Sequence, residues 1–221
     1  MTLKNIWTEQ PERSRAYKIV DNTFSAITHG IGFGLSVAGL VILIIKAAQS
    51  GSALKIVSFT LYGVSLILLY LFSTLYHSLI FTKARKVFQV FDHSSIFILI
   101  AGSYTPYALV AIGGAKGWII WSIILALAIT GILFYIFNQG KHVVLDTIIY
   151  VAMGWFVILA SNSLIPVLGP IGFALLVWGG VAYTIGAILF SMRRIPFIHV
   201  IWHLFVMLGS ILMYFSILLY V

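Results

Sequence analysis

Charge is scarce in this chain. Asp, Glu, Lys and Arg together make up 8% of its 221 residues, against roughly a quarter in a soluble globular domain. Water would not solvate a surface so poor in charge, so a soluble globular domain is excluded. Cysteine is absent. That excludes a disulfide and a thiolate metal site, and it leaves the redox compartment unread. No internal repeat, low-complexity tract or glycine-rich phosphate loop stands out. The stretch Gly113-Gly114-Ala115-Lys116-Gly117 lacks the spacing of a nucleotide-binding loop and reads as a tight turn. Residues 1 to 20 are polar and charged, so no cleavable signal peptide is expected and the first helix directs insertion.

What is present is apolar. Hydrophobic residues make up 62% of the chain, and the mean hydropathy of +1.11 describes a chain whose solvent is lipid. Long uncharged runs lie at 56–82, 117–140, 147–192 and 195–221. One spanning helix needs about 20 apolar residues. The run at 147–192 is long enough for two, and Pro166, Gly169 and Pro170 interrupt it near its middle. The pattern predicts spans at 25–46, 54–80, 88–112, 118–137, 144–163, 171–190 and 197–220. The expected fold is all-α: a seven-transmembrane helix bundle over residues 25–221, preceded by a cytoplasmic N-terminal segment at 1–24.

Orientation follows from Lys and Arg. With seven spans, one side holds Lys4, Arg13, Arg15, Lys18, Lys83, Arg85, Lys86, Lys141, Arg193 and Arg194; the other holds Lys46, Lys55 and Lys116. The positive-inside rule places the N-terminus in the cytoplasm and the C-terminus outside. The net charge of +8 is then a topology signal with some attraction to anionic lipid heads. It is not a nucleic-acid footprint, because no basic domain carries it. The expected partners are membrane lipids; the oligomeric state is not readable.

All six histidines (His29, His77, His93, His142, His199 and His203) fall at the cytoplasmic ends of predicted spans or in cytoplasmic loops. The five acids, Glu9, Glu12, Asp21, Asp92 and Asp146, do the same. Titratable groups near a bilayer are costly and tend to mark function, so any chemistry is expected at that end. His199 and His203 are spaced i, i+4, which puts both imidazoles on one helix face. His77 ends the second span and Asp92 begins the third, and a short loop makes those spans neighbours. Three His with a nearby carboxylate suit zinc, with one position left for water. Ser73, one turn before His77, is placed to orient a ligand or that water. Spacing alone leaves two readings open: a metal site, or polar anchors between helices. His29, and His142 beside Asp146, are read as structural. His93 points about 100° away from Asp92 on a helix and is not expected to share the site.

At these residues the sequence resembles the hemolysin III family, the bacterial branch of the progestin and adipoQ receptor superfamily. The segments that carry the resemblance are Thr28-His29-Gly30-Ile31-Gly32, Ser73-Thr74-Leu75-Tyr76-His77-Ser78 and Asp92-His93-Ser94. Ala101-Gly102-Ser103-Tyr104-Thr105-Pro106, Gly117-Trp118 with Trp121, and Met153-Gly154-Trp155 follow. Arg193-Arg194 through His199-Val200-Ile201-Trp202-His203-Leu204 complete the set. The resemblance implies seven helices with the N-terminus inside, in a bacterial plasma membrane. It implies zinc held by His77, His199 and His203, with Asp92 meeting the metal directly or through water and Ser73 as the family serine. Members carry acidic residues and an Asn before the Thr-His-Gly motif. Here that stretch reads Asp21-Asn22-Thr23-Phe24-Ser25, with Ser25 at the place of the Asn.

Three functions follow as expectations. The first is a zinc-dependent hydrolase of lipid amides or esters, suggested by the related receptors and alkaline ceramidases. Asp92 would act there as general base on a water acidified by zinc, and Ser73 would assist. The second is a non-catalytic sensor or regulator of membrane state, in which zinc staples helices together. The third is a cytolysin, as the family name implies. A pore needs a continuous polar stripe, and the outer halves of the spans carry only scattered Ser, Thr and Tyr.

Overall fold

The structure, a computed structural model, describes residues 13–138, 141–192 and 194–221. Lys4, Glu9, Glu12 and Arg193, and the start of the expected N-terminal segment, lie outside the described residues. The described chain is helical almost throughout. Helix α1 spans Arg15–Gln49, α2 Ala53–Ser78 and α3 Arg85–Thr105; α4 spans Gly114–Asn138, α5 Val143–Trp155, α6 Ser161–Ser191 and α7 Ile198–Tyr220.

Local chemistry sets the helix ends. Ser14 caps α1, its Oγ accepting from the Tyr17 N–H at 3.1 Å. That cap starts the helix ten residues before the apolar run, so residues 15–24 of the expected N-terminal segment are helical. Gly51 takes φ +70, a left-handed turn open to glycine, and Ser52 caps α2 by accepting from the Lys55 N–H at 3.3 Å. Helix α3 runs into a π-type stretch at Pro106–Ile112. Pro106 has no N–H to continue the i to i−4 ladder, and its ring crowds the preceding turn, so the helix widens there.

Six segments of the described residues are long and apolar enough to cross a membrane: Arg15–Gln49, Ala53–Ser78, Arg85–Ile112, Gly114–Asn138, Val144–Ser191 and Ile198–Tyr220. The fifth has 48 residues, and it is not one straight rod. A 3-10 stretch at Phe156–Ala160 links α5 to α6, and α6 is broken at Gly169, whose φ of 63° and ψ of 178° are not helical. The break falls where Pro166, Gly169 and Pro170 predict one. Trp155 Nε1 donates to Thr184 Oγ1 at 2.8 Å across 29 residues. In one straight helix those residues would stand about 44 Å apart. The chain therefore folds back on itself at Gly169, with Trp155 and Thr184 nearly equidistant from the bend.

Neighbouring helices approach closely at small residues, as α2 and α3 do where Gly102 meets Ser65. The polarity is inverted relative to a soluble protein. Leu35, Ile119, Leu159 and Trp178 are exposed, while Asn22, Ser25, His29, Ser73, His77, Asp146 and His203 are buried. Such an exterior suits lipid, and the multi-pass character is set by it. The interruption between α5 and α6 is tied down from within. Tyr104 Oη donates to the carbonyls of Met153 and Gly154 at 2.9 and 3.1 Å, satisfying backbone groups beside the break.

Candidate metal centre

His77 lies in the last turn of α2, and His199 and His203 lie in the first turns of α7. Their donor nitrogens all fall within 4.8 Å of one another. His77 Nε2 and His199 Nε2 are 3.1 Å apart. The ring centroids of the three imidazoles are 4.6 to 5.0 Å apart, with the planes steeply inclined to one another. Among the described residues, this is the group of His, Asp and Glu side chains close enough to hold one metal ion.

The start of α7 is held by the start of α1. Phe197, the residue before α7, takes a left-handed φ of 56°. Its N–H donates to Tyr17 Oη at 2.6 Å, and its ring packs on the Tyr17 ring at 4.8 Å. Arg13 Nη2 donates to the Arg194 carbonyl at 2.7 Å. These contacts position the turn that delivers His199.

Two of the three imidazoles have their tautomer set by α1. Asn22 Nδ2 donates to the Lys18 carbonyl at 2.7 Å, so its Oδ1 is the atom 2.9 Å from His77 Nδ1. An amide oxygen only accepts, so His77 Nδ1 carries the proton and its Nε2 is left with a lone pair. His203 Nδ1 lies 3.2 Å from the Ser25 carbonyl, which also accepts only. Its Nε2 is freed in the same way. Such partners fix ring orientation and raise ligand basicity.

A cavity of about 120 Å³ opens beside the cluster. Its polar end carries His199, His203, His29, Ser73, Asp92 and Asp146; Leu69, Ile96, Leu99, Val206 and Met213 make its apolar wall. Asp92, 13% exposed, lines this cavity without joining the three-His group. Ser73 Oγ lies beside the Asp92 carboxylate, yet too far or too oblique for a hydrogen bond, and it is buried without a partner.

The structure brings together His77, His199 and His203, and places Ser73 and Asp92 with His199 and His203 at the cavity wall. It leaves His142 apart, exposed at the start of α5. His93 stays out of the three-His group, as its helical position predicts. Its Nδ1 meets the Gln89 carbonyl at 3.0 Å and Asp92 Oδ2 at 3.6 Å, and its ring stacks on Tyr135. It does line the cavity. His29, read as structural, is 3% exposed, stacked on His203 and part of the cavity wall.

Two residues of the site were not singled out by sequence reasoning. Asn22 meets His77, although Ser25 holds the place of the family Asn. Asp146, noted only as the neighbour of His142, is buried at the cavity with its Oδ1 unpartnered. A signal for Asn22 exists. Asn22, Ser25, His29, Gly32, Ser36 and Gly39 recur at helical spacing and form the buried stripe of α1.

A family model described as Haemolysin-III related matches residues 17–214. The chain is 47% identical to a protein of Bacillus cereus called Hemolysin-3, over 97% of each chain. It is 46% identical to the Hemolysin-3 homolog of Bacillus subtilis (strain 168), over 92% of this chain and 96% of that one. It is 29% identical to the human Monocyte to macrophage differentiation factor, over 71% of this chain and 67% of that one.

Proposed function

The chain belongs to the haemolysin-III-related family, and from that premise we propose that it is a zinc-dependent hydrolase of lipid amides or esters. It crosses a bacterial plasma membrane seven times and works at the cytoplasmic face. The observation that carries the reading is the gathering of His77, His199 and His203, two of which, His199 and His203, line a largely apolar cavity.

Seven spans follow if the segment that folds back at Gly169 contributes two crossings. The Lys and Arg distribution supports a cytoplasmic N-terminus. The three His then sit at the cytoplasmic ends of α2 and α7.

The donor set fits zinc. Tetrahedral zinc takes neutral imidazoles, and two nitrogens bound at ~2.0–2.1 Å stand about 3.3 Å apart. His77 and His199 are at 3.1 Å, and the bonds to Asn22 and Ser25 leave both His77 Nε2 and His203 Nε2 unprotonated. Zinc held there supplies a Lewis acid that acidifies water and stabilises negative charge.

The chain's own residues do the rest. Asp92 takes a proton from the attacking water and returns it to the leaving amine or alcohol. The unpartnered Ser73 hydroxyl donates to the oxygen that becomes negative. The apolar wall holds an acyl chain and excludes bulk water. The bond broken is the acyl C–N or C–O bond, and the products are a carboxylic acid and an amine or alcohol.

A second reading keeps zinc and drops the chemistry, because the cluster ties α2 to α7 as a staple would. Pure protein in detergent, given a panel of lipid amides and esters with and without a chelator, tests the two. Hydrolysis that stops with chelator and returns with zinc supports the enzyme. A zinc-loaded protein that cleaves nothing favours the staple. Vesicle lysis without hydrolysis favours the cytolysin suggested by the relatives' names.

A further inference from the structure

His29 has no role in the account above, and its surroundings give it one. It lies on the buried stripe of α1, 3% exposed. Its ring stacks face to face on His203, centroids 3.4 Å apart and planes within 10°. Tyr70 meets it edge-on at 5.0 Å. Both ring nitrogens are buried, and neither has a hydrogen-bond partner. A neutral imidazole has one donor and one acceptor. Leaving both unmet in an apolar interior is costly, and buried polar groups rarely stay so.

The ring is not one of the three metal ligands, since its nitrogens fall outside that group. It does line the cavity, beside His199, His203 and Ser73. A phenylalanine would serve the stack on His203 and the edge contact with Tyr70 as well. What distinguishes histidine here is the pair of nitrogens at a cavity wall.

We propose that His29 is a ligand-binding residue, whose ring N–H donates to an oxygen of the acyl group held in the cavity. The ligand class is a long-chain acyl compound with its carbonyl or carboxylate at the His cluster and its chain along the Leu69, Leu99, Val206 and Met213 wall. The inference rests on the cavity taking an acyl lipid, as proposed above, and adds the group that fixes its polar end. Stacking on His203 holds the His29 ring next to the residue that meets the metal. One side chain thus registers the acyl oxygen relative to the metal cluster.

The test is palmitate binding by calorimetry to the zinc-loaded full chain in detergent, alongside zinc content and thermal stability. His29→Phe should keep zinc and thermal stability and weaken palmitate by about 10- to 100-fold, the usual worth of a hydrogen bond to a charged group. His29→Gln, which still has a donor, should lose less than about tenfold on the same scale. Unchanged palmitate affinity in His29→Phe would reduce the residue to a packing element and overturn the proposal. So would loss of zinc in both variants, which would make His29 a support of the metal, or loss of thermal stability in both. If the wild-type chain binds no palmitate, the acyl-lipid reading itself fails and this inference with it. That outcome is distinct from a wild type that binds and a His29→Phe variant that binds equally well.

Discussion

Asn22 and His77 are joined across two helices, the imidazole Nδ1 donating to the amide Oδ1 at 2.9 Å. The contact selects the tautomer that turns His77 Nε2 toward His199. Partners of this kind are worth about 10- to 100-fold in metal affinity. Asn22→Ala should therefore weaken zinc by that factor, measured by competition with a chelator of known affinity. Asn22→Asp, which still accepts, should bind close to wild type. Equal affinity in the alanine variant would show that Asn22 does not orient the ligand.

The metal itself is the next expectation. Purified protein should hold about one zinc per chain, as three His and an open position imply. His199→Ala or His203→Ala should remove most of it. His142→Ala should not, because that side chain is exposed and stands apart from the cluster. Full retention in the double variant His199→Ala, His203→Ala would move the site elsewhere.

Much of this was legible in the sequence. The spans follow from the positions of the few charges: four of the six apolar segments each begin and end within a few residues of one predicted span, and the fifth, Val144–Ser191, covers two of them. The exception is α1, which starts at Arg15 because Ser14 caps it; its buried polar stripe begins further on, at Asn22. The π-type widening at Pro106 was hidden, since the surrounding residues are apolar enough for any helix. The cluster of His77, His199 and His203, which could hold a metal ion, was legible because two share one helix face and the third ends a neighbouring span. Asn22 and Asp146 were not, because their importance depends on which face α1 and α5 turn inward. That choice is made by packing against α2, α3 and α7.

Topology can be checked independently of the metal. The Lys and Arg split and the fold-back at Gly169 predict that a reporter after Val221 is extracytoplasmic. One placed in the Lys83–Lys86 loop should be cytoplasmic. Both on one side would rule out an odd number of crossings between them and sink the seven-span reading.

The strap between α1 and α7 gives a stability prediction. Tyr17→Phe keeps the ring contact with Phe197 and removes the acceptor for its N–H. The loss should be about 0.5–1 kcal/mol in thermal or denaturant unfolding, the scale of a partly exposed neutral hydrogen bond. An unchanged midpoint would mean that water replaces the Tyr17 hydroxyl without cost.

Asp92→Asn tests the central claim most directly. The carboxylate stands at the cavity, outside the three-His group, and asparagine is nearly its size. Zinc content, thermal stability and lipid-amide hydrolysis are measured on the one variant. If Asp92 is a general base, zinc and stability should match the wild type while hydrolysis falls by about 10²–10⁴-fold. Loss of zinc together with a less stable fold would contradict that account, because it would make Asp92 a ligand of a closed structural site in which metal binding and folding are linked.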